Sequence, residues 1–383
     1  MFITGIKFKE FNTKKKKFLI KKKLEKILLK KNPVIDTLGK KYKNNYDKKI
    51  LLKYKRLSNF RIIGMGGSIL GTKAIYQFLK HKIKKNFEFQ DNLNPSLKVK
   101  KNKKVTNIIV SKSGNTIETI ANTNIFISKK DDNIFITENK NSYLNLLGKK
   151  LKADIIHHNN YIGGRYSVLS EVGMLPAELM GLNPKKFKQY DNLINNKHFY
   201  NKLISNVCST IYLFKKKKFN SIIINYDQKS KNLFYWYQQL IAESLGKKSK
   251  GLLPIISNMP KDNHSVMQLF LDGFKNNFYT VFYVKEKKSL KINNKQILYL
   301  QNNLKNKDLD KIIYAQKQAT ENVFKKKNIP FRSFEIYKRN EETLGKLFSF
   351  FILETILLGK ALNVNPYDQP AVELIKTETK KFL

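Results

Sequence analysis

The stretch FRIIGMGGSILG, residues 60–71, ends an apolar run at Gly64, continues through Gly66, Gly67 and Ser68, and enters an apolar run of helical spacing from Ile69 to Leu79. That is the pattern of strand, glycine turn and helix. Glycines let the backbone turn tightly and let another group approach it closely. The helix that follows starts with free N–H groups and the positive end of its dipole, which together favour an anion. Turns of this kind also serve as plain packing corners, so the stretch fixes an α/β element and leaves its chemistry open.

A second stretch, NIIVSKSGNTIETI at 107–120, repeats the pattern with different side chains. A buried-strand run ends in Ser111, Ser113 and Thr116, grouped around Gly114 at the entrance to a helix. Hydroxyls together with backbone N–H groups hold a phosphate without a metal. An ordinary N-cap would need one hydroxyl, not three. Lys112 carries little information in a chain so rich in lysine.

Outward from these turns, apolar strand runs at 62–63, 107–110, 133–137 and 153–157 alternate with helical patterns, and 165–182 reads as a further helix. The alternation predicts a parallel sheet covered by helices on both faces. Ligands of such sheets sit at the carboxyl ends of the strands, so both polar turns belong to one end. A second α/β unit begins near 196, with strands at 221–225, 280–284 and 333–336 and a long helix at 231–246 holding Phe234, Tyr235, Trp236 and Tyr237, which read as core. Residues 1–50 read as an amphipathic helical segment on Phe18, Leu19, Leu24, Ile27 and Leu28. The tail opens as an apolar helix at 344–361, breaks near Asn365-Pro366, and closes with a helix ending at Lys376. The expected division is therefore a helical segment 1–50, α/β domains at 51–192 and 193–340, and a helical segment 341–383 packing on the active site.

The formal charge of +46 invites a nucleic-acid or membrane reading. The excess is lysine spread along the whole chain, with arginine only at 56, 61, 165, 332 and 339, and no nucleic-acid motif accompanies it. The lysine runs at 14–17 and 215–218 read as solvated faces. A single cysteine, Cys208, leaves no internal disulfide and fits a reducing compartment. With no secretory signal and no apolar stretch of spanning length, the expectation is a soluble cytoplasmic chain.

Four further stretches carry chemistry. Gly163-Gly164 precedes Arg165 and reads as a turn that aims a guanidinium. Glu243 ends an apolar helix; it is either a surface carboxylate or a base whose pKa apolar surroundings raise. His264 precedes an apolar helix, as a capping-turn residue or as an acid–base group. Gln369 falls in a turn and Lys376 on the last helix. His157 and His158 lack acidic or cysteine partners at ligand spacing, so no metal is expected.

Taken together, GMGGS at 64–68, SKSGNTIET at 111–119, GGRYS at 163–167, ESLGK at 243–247, Asn263-His264 and DQPAVELIK at 368–376 resemble the glucose-6-phosphate isomerase family, in family order from about 60 to 376. The resemblance implies two sugar-isomerase (SIS) domains and a homodimer with shared active sites. It implies that Gly67 and Ser68 contact substrate, that Ser111, Lys112, Ser113 and Thr116 cradle its phosphate, and that Gly164 and Arg165 lie beside the reacting carbons. Glu243 is implied as the base, His264 as the ring-opening group supplied by the other subunit, Gln369 as a contact, and Lys376 as a contact that also serves ring opening. The hydroxyl loop has the general SIS form, which bifunctional isomerases that also accept mannose 6-phosphate share. A non-catalytic sugar-phosphate sensor would need the loop but neither Glu243 nor His264. The implied chemistry, an aldose–ketose shift through an enediolate, requires no redox cofactor and no metal.

Overall fold

The computed structural model describes residues 3–12, 32–96 and 104–383. The amphipathic helix expected on Phe18, Leu19, Leu24, Ile27 and Leu28 lies outside the described residues. Two five-stranded sheets organise the rest. The first has the order β3-β2-β4-β5-β6, made of β2 (Asn59–Gly64), β3 (Asn86–Gln90), β4 (Thr106–Val110), β5 (Asp132–Thr137) and β6 (Asp154–His157), all parallel. β4 is buried along its whole length, as a strand covered on both faces must be.

The second sheet has the order β1-β10-β9-β7-β8. Its parallel strands are β7 (Asn220–Asn225), β8 (Leu253–Asn258), β9 (Asn277–Val284) and β10 (Phe331–Ile336). The remaining strand, β1 (Ile6–Lys9), runs antiparallel to β10. The sequence reading assigned helix to the first fifty residues; Pro33–Asp36 is helical, but at Ile6–Lys9 a strand stands instead. Its alternation of buried Ile6 and Phe8 with exposed Lys7 and Lys9 is the period of an edge strand with one face on the core. Strands β3 and β8 also went unread.

Helices fill both sides: α1 (Lys48–Tyr54), α2 (Leu70–Leu79), α3 (Ile117–Phe126), α4 (Tyr143–Lys150), α5 (Glu171–Leu179), α6 (Lys197–Lys215), α7 (Lys231–Leu245), α8 (Met267–Asp272), α9 (Leu309–Lys326), α10 (Glu341–Ala361) and α11 (Ala371–Phe382). The helix expected over 165–182 is a 3₁₀ turn at Gly164–Leu169 followed by α5. α7 is the junction of the molecule: it packs on α2 from the first unit and on β8 and α10 from the second. Its Trp236 is fully buried edge-on against Phe348 of α10, and Phe234 and Tyr237 are core as expected, whereas Tyr235 is exposed. α10 is buried from Thr343 to Gly359. Asn340 caps it, accepting from the Thr343 N–H at 2.9 Å. Inside, Arg332 of β10 meets Glu354 of α10 in a fully buried ion pair that also holds Asn206 and Tyr237, so each buried charge has its partner.

Candidate active site

The polar turns do gather at the carboxyl ends of the first sheet. β2 ends at Gly64 opposite Val110 of β4, so the turn 65–68 and the turn 111–116 leave neighbouring strands side by side. In the second turn the Ser111 and Thr116 hydroxyls lie 3.0 Å apart and those of Ser113 and Thr116 3.5 Å apart. Thr116 is the N-cap of α3, yet its side chain makes no capping bond. The N–H groups of the first turn therefore take no capping bond from Thr116, and free N–H groups next to hydroxyls suit an anion. Gly114 sits at φ +67, and a Cβ there would fall 2.1 Å from the Ser142 hydroxyl, so only glycine closes this loop. Lys112 pairs with Glu138 at 3.4 Å.

The turn after β2 packs directly on the turn before α5. A Cβ on Gly67 would lie 2.1 Å from the carbonyl carbon of Gly164 and 2.3 Å from the Arg165 nitrogen. Backbone rests on backbone, and this fixes where the Arg165 side chain begins. That side chain is 2 % exposed. Its Nε donates to the Ser244 hydroxyl at 2.8 Å, and one Nη donates to the carbonyls of Pro366 at 2.7 Å and Asp368 at 3.0 Å. The other Nη donates to Gln369 Oε1 at 2.8 Å and lies 3.3 Å from Glu243 Oε2. The Trp236 indole N–H donates to the Arg165 carbonyl at 3.1 Å. Tyr166 reinforces the frame, bonding Ser244 at 2.8 Å; burial pushes its phenol up to about 12, so it stays a neutral donor.

Glu243 occupies the last turns of α7, 24 % exposed, with Gln239 Nε2 donating to it at 3.1 Å. The apolar surroundings expected from sequence are there in Ala242, Val364, Pro370 and Val372 of the cavity it lines, but a guanidinium and an amide face the carboxylate directly. Both Glu243 and Gln369 line a cavity of 910 Å³ between the end of α7 and the segment 364–372. Lys247 and Asp368 close its rim with an ion pair at 3.0 Å. Burial lowers the Lys247 ammonium, and the Asp368 carboxylate pulls against that shift.

Of the expected residues only Glu243 and Gln369 line this cavity; the hydroxyl turn, Gly67, Gly164 and Arg165 do not, and the rest stand apart from it as well. Ser68 is half-buried in its turn. His264 is exposed in the 3₁₀ turn Lys261–His264 and does not line the cavity. Lys376 is exposed on α11, paired with Glu373 at 2.6 Å. α11 runs past Lys376 to Phe382 and has no buried residue, so only its first residues, Ala371 and Val372, reach the cavity. Sequence reasoning missed Gln239, which lines the cavity, bonds Glu243, and has a buried Oε1 with no protein partner. Its spacing of four from Glu243 on one helix was the available signal. Among the described residues no group of three or more His, Cys, Asp or Glu side chains is placed to hold a metal ion, and no helix is long and apolar enough to cross a membrane.

Two sheets, one parallel and one parallel but for an edge strand, with a hydroxyl turn at the carboxyl edge of the first and a braced arginine beside it, define a sugar-isomerase type of α/β protein. The comparisons narrow the class. The family model described as phosphoglucose isomerase matches residues 49–256. A glucose-6-phosphate isomerase of Methanocaldococcus jannaschii is 34 % identical over 84 % of this chain and 84 % of its own. That of Mycoplasmopsis pulmonis is 32 % identical over 89 % of this chain and 87 % of its own. Among solved structures, a hypothetical protein from Thermus thermophilus superposes with a TM-score of 0.79 at 23 % identity, covering 94 % of this chain and 93 % of its own. A glucose-6-phosphate isomerase from Chlamydia trachomatis gives 0.72 at 17 % identity, covering 95 % and 83 %. The chain belongs to the phosphoglucose isomerase family.

Proposed function

We propose that the chain interconverts glucose 6-phosphate and fructose 6-phosphate in the cytoplasm, as a homodimer of chains that each hold two α/β domains, 51–192 and 193–340. The observation that carries the reading is that Glu243, which lines a cavity of small-molecule size, lies 3.3 Å from the Arg165 guanidinium buried behind it. The hydroxyl turn 111–116 anchors the phosphate and supplies binding energy remote from the reacting carbons. His264, from the partner subunit, opens the ring by exchanging protons between the ring oxygen and O1, with Lys376 assisting.

Glu243 then removes the proton from C2 and returns it to C1 while the O2 hydroxyl proton passes to O1, and the reverse in the other direction. The negative charge that grows on the enediolate oxygens faces Arg165, whose position is set before substrate arrives by Ser244, Gln369 and three backbone contacts. Substrate oxygens replace the carboxylate at the guanidinium as the reaction proceeds. Gly67, Ser68 and Gly164 shape the wall between phosphate and sugar, Lys112 adds charge beside the phosphate, and Gln369 orients a sugar hydroxyl.

A positioned general base contributes about 10²–10⁴-fold, so Glu243→Gln should lower kcat by that range with little change in KM. Wild type incubated with fructose 6-phosphate in deuterated water should place deuterium at the reacting carbon, and the variant should not. Retained exchange in the variant would remove Glu243 from the proton transfer.

A further inference from the structure

A second cavity, of 570 Å³, shares no lining residue with the first. It lies between the N-terminal residues Ile3 and Thr4, the segment 185–196 and the first turns of α10. Lys40, Lys185, Lys186 and Lys346 line it, against one carboxylate, Glu342. Among the described residues none of the four lysines forms an ion pair. On a convex surface such lysines are solvated independently. Here Lys40, Lys185 and Lys186 are exposed and Lys346 is buried, but gathered round one concavity, charges of one sign focus their field on whatever enters.

Lys346 marks the floor. It is 8 % exposed, and its ammonium donates to the Thr4 carbonyl at 3.1 Å. Burial lowers its pKa, with Glu342 offsetting part of the shift. An ammonium has three donors, so two remain for a ligand. Two long helices add their positive ends. Asn196, which lines the cavity, caps α6 by accepting from the His198 and Phe199 N–H groups at 3.0 Å each. Glu342 belongs to the first turn of α10. Both dipoles therefore add to the lysine field.

We propose that this cavity binds a small polyphosphate, either inorganic triphosphate or the triphosphate arm of a nucleotide. Four ammoniums against one carboxylate leave a positive excess that one phosphate group would not neutralise, and the volume suits a small molecule. Lysine meets phosphate as a point charge, so recognition here rests on charge density more than on fixed bidentate geometry.

Calorimetric titration of the full chain with sodium triphosphate, and separately with ATP, at physiological salt tests the assignment. One saturable site is expected, weakening steeply as salt rises. The pair Lys185→Ala and Lys346→Met should raise Kd about tenfold or more, the size expected for losing two charged contacts. Glu342→Gln should tighten binding, and Ser113→Ala with Thr116→Ala, in the hydroxyl turn, should leave it unchanged. Equal affinities for the two ligands would assign recognition to the phosphates alone; tighter ATP binding would add contacts to the nucleoside. Absence of saturable binding, or binding lost in the hydroxyl-turn variant and kept in the lysine variant, would overturn the proposal. Should the lysine variant not fold, Glu342→Gln decides, and an unchanged Kd there counts as refutation.

Discussion

Lys188 is one lysine among many, yet the fold gives it a separate part. Its ammonium is buried, donates to the carbonyls of Thr37 and Leu169, and sits 4.8 Å over the Tyr42 ring. Leu169 ends the 3₁₀ turn that Gly164 and Arg165 begin, so the lysine ties the N-terminal part of the chain to the base of the arginine turn. Burial lowers its pKa from 10.5 to about 7, with Glu171 pulling weakly the other way. Between those two values the unfolded chain holds a proton that the folded chain has released, so stability rises with pH across that window and levels off beyond it. The slope is at most about 1.4 kcal/mol per pH unit. Denaturant unfolding of wild type should show this rise from neutral to alkaline pH, and Lys188→Met should lack it; parallel curves for the two proteins would remove the burial argument. At this scale the sequence was legible where a residue type was scarce. Arg165 stood out as one of five arginines. Lys188 and Gln239 did not, because burial of one lysine and an amide's partner depend on distant chain.

At the scale of elements, the packed turns carry the site. A side chain on Gly67 would drive into backbone atoms of Gly164 and Arg165, which cannot swing aside as a flexible side chain would. Gly67→Ala should therefore open the contact and displace Arg165. A misplacement of about 1 Å costs roughly 10²-fold in rate, so kcat/KM should fall by at least that order, with a lower Tm. Gly163→Ala is the control: its Cβ meets nothing closer than 3.8 Å, and its φ of −66 suits alanine. Equal activity of the two variants would show that the turn-on-turn contact does not position the arginine. The two turns were readable because interior strands β2 and β4 announce themselves as continuous apolar runs. The three unread strands, β1, β3 and β8, all lie at sheet edges. There the pattern thins to alternation, as in β1 and β3, or carries a proline, as at Pro254 in β8, which an edge tolerates and an interior would not. The reading of α7 as a long core helix and of α10 as a buried one rested on length and apolar content, and both stand.

For the whole molecule, the distribution of groups points beyond one chain. Glu243 and Gln369 line one cavity and both contact Arg165, while His264 is exposed in a turn of the second unit and outside that cavity. On α11, Leu374 and Ile375 are 71 % and 70 % exposed, an apolar face that a lone chain leaves in water. The proposed homodimer accounts for the separation if each histidine serves the opposite subunit's site. A two-fold interface is self-complementary, so a dimer of Glu243→Gln with His264→Ala holds one site with both groups intact and one with neither. Each variant alone should be nearly inactive. Mixed and allowed to exchange subunits, they should recover roughly a quarter of wild-type activity, because half the dimers are hybrids with one working site of two. Activity in the coupled fructose 6-phosphate assay should rise with the hybrid fraction, measured independently by tagging one variant. If tagging proves exchange and activity stays flat, both residues act within one subunit. His264 would then have to reach Glu243 by movement of its own turn, Lys261–His264, within one chain.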